Sequence, residues 1–198
     1  MKRRPSILLL AALPLLVACG GGTSSGADDA AESSGPHAPT ASAEVAVATP
    51  EGRSVELDGA GTVVVPADAV VEERATGSAA RQLVVTFDDP LTAVEITWAA
   101  DDAISVDEQT WTTEQAARGN TAMSDYVRTR VQWPGSEQSV LARWTEEVAA
   151  QDGTSEVDAV RLVVQDDART TVAAVAVAPA GSLEGSPAES VVLSLTLG

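Results

Sequence analysis

The sequence predicts an α+β fold, a mostly antiparallel β-sheet layered with helices, over residues 51–198. Three features predict it. Valine-rich runs of period two recur between turn residues, the pattern of strands with one buried face. One stretch, 106–118, drops that alternation and is bracketed by helix start and stop signals; a second capped stretch closes the chain. Hairpins with one helix inserted midway and one at the end make a layered α+β domain.

Taken in order, residues 54–57 and 61–65 flank Asp58-Gly59-Ala60, a hairpin signal, and Pro66 ends the second strand. Residues 82–87 place Leu83, Val85 and Phe87 on one face. Beyond Asp88-Asp89-Pro90, residues 93–98 do the same with Val94, Ile96 and Trp98, which gives a second hairpin. A helix then spans 106–118. Ser105 to Glu108 has capping-box form, acids fill the first turn, Arg118 stands in the last and Gly119-Asn120 follows. Its expected apolar stripe is thin: Trp111, Ala116 and Ala117. Four strands follow at 126–133, 139–148, 157–165 and 170–178. They are joined through Pro134-Gly135, Asp152-Gly153 and Asp166-Asp167, so neighbours should run antiparallel. The last has no polar face, which predicts cover on both sides. Near the end Ser186 can cap, Pro187 fits the first helical position and Glu189 completes a second capping box. Ala188, Val191, Val192 and Leu195 keep helical spacing, so a helix is predicted from 187 to about 194.

From Gly61 to Gly198 this order resembles the PsbP-like domain of actinobacterial lipoproteins of the LpqN type. The residues that carry the likeness are VVVPADAV at the start, ITWAADD before the first helix, and RLVVQDDARTTVAAVAVAPAGS running into SPAESVVLSLTL. The resemblance implies an antiparallel sheet sandwiched by helices, used for binding and assembly, and it brings no catalytic residues with it.

The amino-terminal region reads differently. Lys2-Arg3-Arg4 precedes an apolar run of 12 residues, 7–18, too short to cross a bilayer, which takes roughly 20. The run ends in Leu16-Val17-Ala18-Cys19, the form of a lipobox, and Cys19 is the only cysteine in the chain. This resembles the bacterial lipoprotein signal. It implies cleavage before Cys19, diacylglycerol on the thiol and a fatty acyl chain on the new amino group, which tethers the protein to the outer side of the cell membrane. The expected organisation is a signal peptide at 1–18, the lipidated cysteine and a disordered tether at 19–50, and the binding domain at 51–198. The tether is expected because Gly, Ala, Ser, Thr, Pro and acids dominate it; His37 is expected to be solvated within it.

Loss of residues 1–18 leaves nine arginines, no lysine and 29 acids, a formal charge of −20. Such a chain disfavours nucleic acid and a polybasic grip on anionic lipid. Residues 51–198 also lack His, Lys and Cys, which removes Ser-His-Asp and Cys-His machinery, Ser-Lys dyads, Schiff-base lysines and His- or Cys-ligated zinc. No cofactor, metal or catalytic residue is therefore expected. What survives is carboxylate chemistry at Glu72-Glu73, Asp88-Asp89, Asp101-Asp102, Glu146-Glu147 and Asp166-Asp167, with solvated turns as the favoured reading over a calcium or glycosidase site. Two kinds of binding residue stand out. Core packing is the favoured role of the six aromatics, and Trp133, beside Pro134-Gly135, is the candidate groove aromatic among them. Arg128, Arg130, Arg143 and Arg161 are candidates for one anion- or partner-binding face, if they do not simply pair with Glu95 or Glu147. The expected role is a non-catalytic envelope module that binds a protein or small ligand. The alternatives are a lipid or glycan carrier and a carboxylate hydrolase.

Overall fold

A computed structural model describes residues 37–76, 80–100, 102–150 and 153–198. In chain order the elements are β1 (Ala41–Ala43), β2 (Arg53–Glu56), β3 (Gly61–Val65), β4 (Val70–Thr76), β5 (Ala80–Thr86), β6 (Ala93–Ala99), α1 (Val106–Arg118), β7 (Met123–Val131), β8 (Gln138–Ala150), β9 (Gly153–Gln165), β10 (Thr171–Pro179), α2 (Pro187–Leu193) and β11 (Thr196–Leu197). Eight strands form one sheet in the order β1-β7-β8-β9-β10-β6-β5-β4, and β11-β3-β2 form a smaller one. Every pairing is antiparallel except β1 with β7. The fold is α+β, as the periodicity predicts.

The expected hairpins and both helices form where their signals lie. Asp58 and Gly59 both take positive φ, +50° and +84°, in the two-residue turn that joins β2 to β3. Ser105 and Ser186 cap their helices by accepting the N–H groups of Glu108 and Glu189 at 3.2 and 3.0 Å. Among the described residues neither capping box closes. Glu108 turns to His37 instead, and Glu189 takes the Gly185 N–H at 2.6 Å.

The main core lies between one face of the large sheet and a cover made of the small sheet and α2. Val63 and Val65 come from the small sheet and Leu57 from its turn, Ile96 and Leu162 from the large sheet, and Val191, Val192 and Leu195 from the chain end. Helix α1 covers part of the opposite face, where Val106 packs on Val140, Val163 and Ala173.

Four expectations need correction. The helix stripe is not Trp111 with Ala116: α1 buries Val106, Asp107, Thr110 and Ala117. Thr110 can face the sheet because its hydroxyl donates to the Val106 carbonyl at 2.8 Å, which satisfies it within the helix. Strand β4 was hidden by Glu72, Glu73 and Arg74, which break the alternation yet suit a strand at the sheet edge. Strand β10 is fully covered on its core side, but Val175 and Val177 on its other side are only partly buried.

The largest correction concerns the tether expected over 19–50. Residues up to 36 lie outside the described ones, and from His37 onward the chain is docked as a strap. Ala41–Ala43 pair in parallel with Thr129, Arg130 and Val131 of the edge strand β7. Val45 and Val47 then pack against the main core, and the Ala48 N–H donates to the Leu193 carbonyl at 2.7 Å. The free edge of β7 supplies the attraction, and composition does not reveal it. The double substitution Val45→Ser, Val47→Ser is expected to cost about 1–2 kcal/mol of partly buried apolar surface. For a domain of this size that lowers the melting temperature by about 3–6 °C. An unchanged melting temperature would show that the strap is not held by the core.

Candidate functional site

The polar side of the sheet beneath α1 gathers three of the four candidate arginines. Register decides which. Arg128 stands opposite Ala142, and Ala142 opposite Arg161, so these share the α1 face, joined by Arg130 two residues along β7. Arg143 stands opposite Val160 on the core face, so the expected single cluster of four is corrected to three and one. Arg143 reaches α2 instead, where its Nη2 donates to Glu189 Oε1 at 2.5 Å.

Each of the three is met from α1, and not by Glu95 or Glu147 as pairing within the sheet would have had it. Arg128 is 7% exposed at its side chain, and its Nε donates to Glu114 Oε2 at 2.7 Å. Its Nη1 serves the His37 carbonyl at 2.9 Å, the Thr110 hydroxyl at 3.2 Å and the Asp107 carbonyl at 3.3 Å. Arg130 donates to Asp107 Oδ2 at 2.7 Å. Arg161 donates through Nη1 to the Thr113 hydroxyl at 2.9 Å. One guanidinium therefore ties together β7, α1 and the strap. His37, expected to be solvated, lies over Trp111 with ring centres 4.0 Å apart, and its Nε2 is 3.4 Å from Glu108.

Electrostatics separate these residues. Burial pushes the Glu114 carboxyl up, but Arg118 and Arg128, both hydrogen-bonded to it, outweigh burial and hold it below its ordinary 4.5. For Arg161 burial drives the pKa down, with Tyr126 and Glu95 opposing, and no carboxylate forms a salt bridge with it among the described residues. Its Nε is enclosed and has no acceptor. Tyr126, whose pKa burial raises, has an enclosed hydroxyl that also lacks a partner, and its ring stacks on Trp144 at 5.5 Å. Tyr126 and Trp144 were not singled out by sequence, although period two already places Tyr126 on the face of Arg128.

Trp133 is not a groove aromatic. It is 4% exposed within the main core, and its indole N–H donates to the Leu195 carbonyl at 3.0 Å, so β7's end and the carboxy-terminal segment close over it. Cys19 and Asp101 lie outside the described residues. The described acid pairs are largely used locally: Glu72 and Glu73 pair with Arg74 and Arg81. Asp89, Asp102 and Asp166 accept backbone N–H groups two to four residues on. Glu146 and Glu147 line a shallow cavity of ≈ 100 Å³ with Glu156. Among the described residues no three acidic or imidazole groups converge as metal ligands. Compared with protein-family models and with curated proteins, the chain matches none.

Two outcomes test this assignment. Trp133→Ala is expected to cost about 3–5 kcal/mol in urea denaturation, and stability equal to wild type would return Trp133 to the surface. Glu114→Gln is expected to cost roughly 2 kcal/mol at pH 7, because a largely buried guanidinium loses its charged partner. A carboxyl held below its unfolded-state value contributes stability that is present above that value and lost as pH falls through the folded-state one. The gap between Glu114→Gln and wild type should therefore narrow as pH drops below 4.5. A gap that stays constant down to pH 3 would show that Glu114 acts through its shape and not its charge.

Proposed function

We propose that the protein is a lipid-anchored lipoprotein of the cell envelope, whose PsbP-like sandwich is a non-catalytic binding and assembly module on the extracytoplasmic face of the membrane. The observation that carries this reading is Leu16-Val17-Ala18-Cys19, with the chain's sole cysteine directly after a basic start and a short apolar run. Two helices on opposite faces of an antiparallel sheet support the sandwich assignment. Docking of the strap shortens the reach of the anchor. Seventeen residues separate Cys19 from His37, so the domain stands at most about 60 Å from the acylated cysteine, at roughly 3.3–3.6 Å per residue. A charge of −20 gives the rest of the chain no attraction to anionic headgroups, which leaves attachment to the acyl chains.

Metabolic labelling with an alkyne palmitate tests the anchor. Wild type is expected to take up label and fractionate with membranes, whereas Cys19→Ala stays unlabelled and is either unprocessed or released to the medium. Equal labelling of the two would overturn the lipoprotein reading.

A further inference from the structure

Beside the carboxy-terminal half of α1 the sheet carries two enclosed polar groups whose hydrogen bonds are not used within the described protein. Arg161 Nε has no acceptor and the Tyr126 hydroxyl has no partner. They stand on one face, with Ala142 and Ala159 as a floor of small, fully buried side chains and Trp144 stacked on Tyr126 as a wall. An enclosed donor without an acceptor is rare in a native protein and asks for an explanation. Among the described residues the guanidinium has no ion-pair partner either, unlike Arg128 and Arg130 beside it. Next to this pair the face becomes apolar: Met123, Val175 and Val177 are only partly buried, as are Arg161 and Tyr126 taken as whole residues, while the Arg161 Nε and the Tyr126 hydroxyl are themselves enclosed. Carboxylates border the site on two sides: Glu95 follows beyond Val175 in the same cross-strand row, and Glu146, opposite Met123, accepts from the Trp144 indole N–H at 3.2 Å.

We infer that this face binds an anionic amphiphile, whose carboxylate or phosphate accepts from Arg161 and Tyr126 and whose chain lies over Val175, Val177 and Met123. A guanidinium pairs strongly with either anion, and a neutral phenol donates to it as well. The adjoining aliphatic side chains suit an acyl or prenyl chain and offer little to a sugar, which would need further polar groups. The alternative occupant of two unused polar groups is an ordered water. This inference rests on the binding-module reading and adds to it a ligand class and a place.

The test uses the full lipidated chain in zwitterionic phosphatidylcholine nanodiscs, titrated calorimetrically with octanoate, octyl phosphate and the uncharged octyl glucoside, with empty nanodiscs as reference. Saturable binding of one or both anions and none of the glucoside is expected. Arg161→Met should weaken it by about tenfold or more, the loss of a charge-assisted contact, and Tyr126→Phe should weaken it by a smaller factor while keeping the ring that stacks on Trp144. A preference between octanoate and octyl phosphate identifies the head as fatty-acid-like or phospholipid-like. Should Arg161→Met fail to fold, Tyr126→Phe decides alone. No saturable binding of either anion leaves water as the occupant and overturns the inference. Equal binding of the glucoside, or anion binding that both variants retain, also overturns it, yet leaves the binding module standing. None of these results bears on labelling at Cys19.

Discussion

Because β10 pairs with β6, strands β7–β10 continue the sheet begun by β4–β6, and the chain must travel from the middle of that sheet to its edge between Ala99 and Met123. It makes the journey along one end of the strands. The Asp102 N–H donates to the Arg169 carbonyl at 3.0 Å, and the Arg169 side chain donates back to the Ala103 carbonyl at 3.0 Å. The Gln165 amide serves the Asp102 and Ile104 carbonyls together with the Thr171 hydroxyl. Two strand spacings, about 10 Å in all, from β6 past β10 to β9, are crossed in this way before α1 begins. The helix consequently lands on β7, β8 and β9, and the residues it covers are whatever those strands present on that side.

What they present mixes arginines with small apolar clusters, so the two faces of the sheet are held by different forces. On the core face, some two dozen buried apolar side chains are removed from water, and the hydrophobic effect supplies the stability. On the α1 face the buried apolar side chains shrink to Ala142, Trp144 and Ala159 and, under the helix, to the cluster of Val106, Val140, Val163 and Ala173. Beyond it Asp107 and Glu114 meet Arg130 and Arg128, while Thr113 meets Arg161. Enclosed ion pairs gain little net free energy over apolar packing, because both partners lose their hydration. Their geometry is demanding, however, and here it fixes the rotation of α1 about its own axis: a helix turned by one residue would leave Arg128 enclosed without a charge to face.

Signals confined to a few neighbouring residues were legible in the sequence. Ser105 and Ser186 announce helix starts, Asp58-Gly59 announces a hairpin, and the alternation of Leu83, Val85, Val94, Ile96 and Trp98 identifies strands with one buried face. Relations between distant segments were not. The side of the sheet on which Arg143 falls depends on whether it stands opposite Arg161 or Val160, a one-residue difference that inverts a side chain's face. Trp133 sits beside a Pro-Gly turn, which makes it the groove candidate among the aromatics, but Leu195, more than sixty residues away, supplies the acceptor for its indole. The strap is the extreme case, since the partner of Ala41–Ala43 is a free edge some ninety residues on.

That strap also connects the two functional readings. Its first described residue, His37, lies against Trp111 of α1 and is gripped through its carbonyl by Arg128, so the chain arriving from Cys19 meets the domain on the side that carries α1. Arg161 and Tyr126 occupy that same side. Under the proposed lipidation of Cys19, an anchor joined there would bring the α1 face, and not the small sheet, nearest to the acyl chains, where an anionic amphiphile would be encountered. In a chain with so large an excess of acids, long-range attraction would not draw such a ligand in. On the proposed reading, capture would instead depend on proximity, through the anchor, and on one guanidinium left without a carboxylate of its own among the described residues. The arginines that position α1 have spent their charge on Glu114 and Asp107; Arg161 has not, and this difference in pairing, more than the number of arginines on the face, sets it apart as the residue able to meet a ligand.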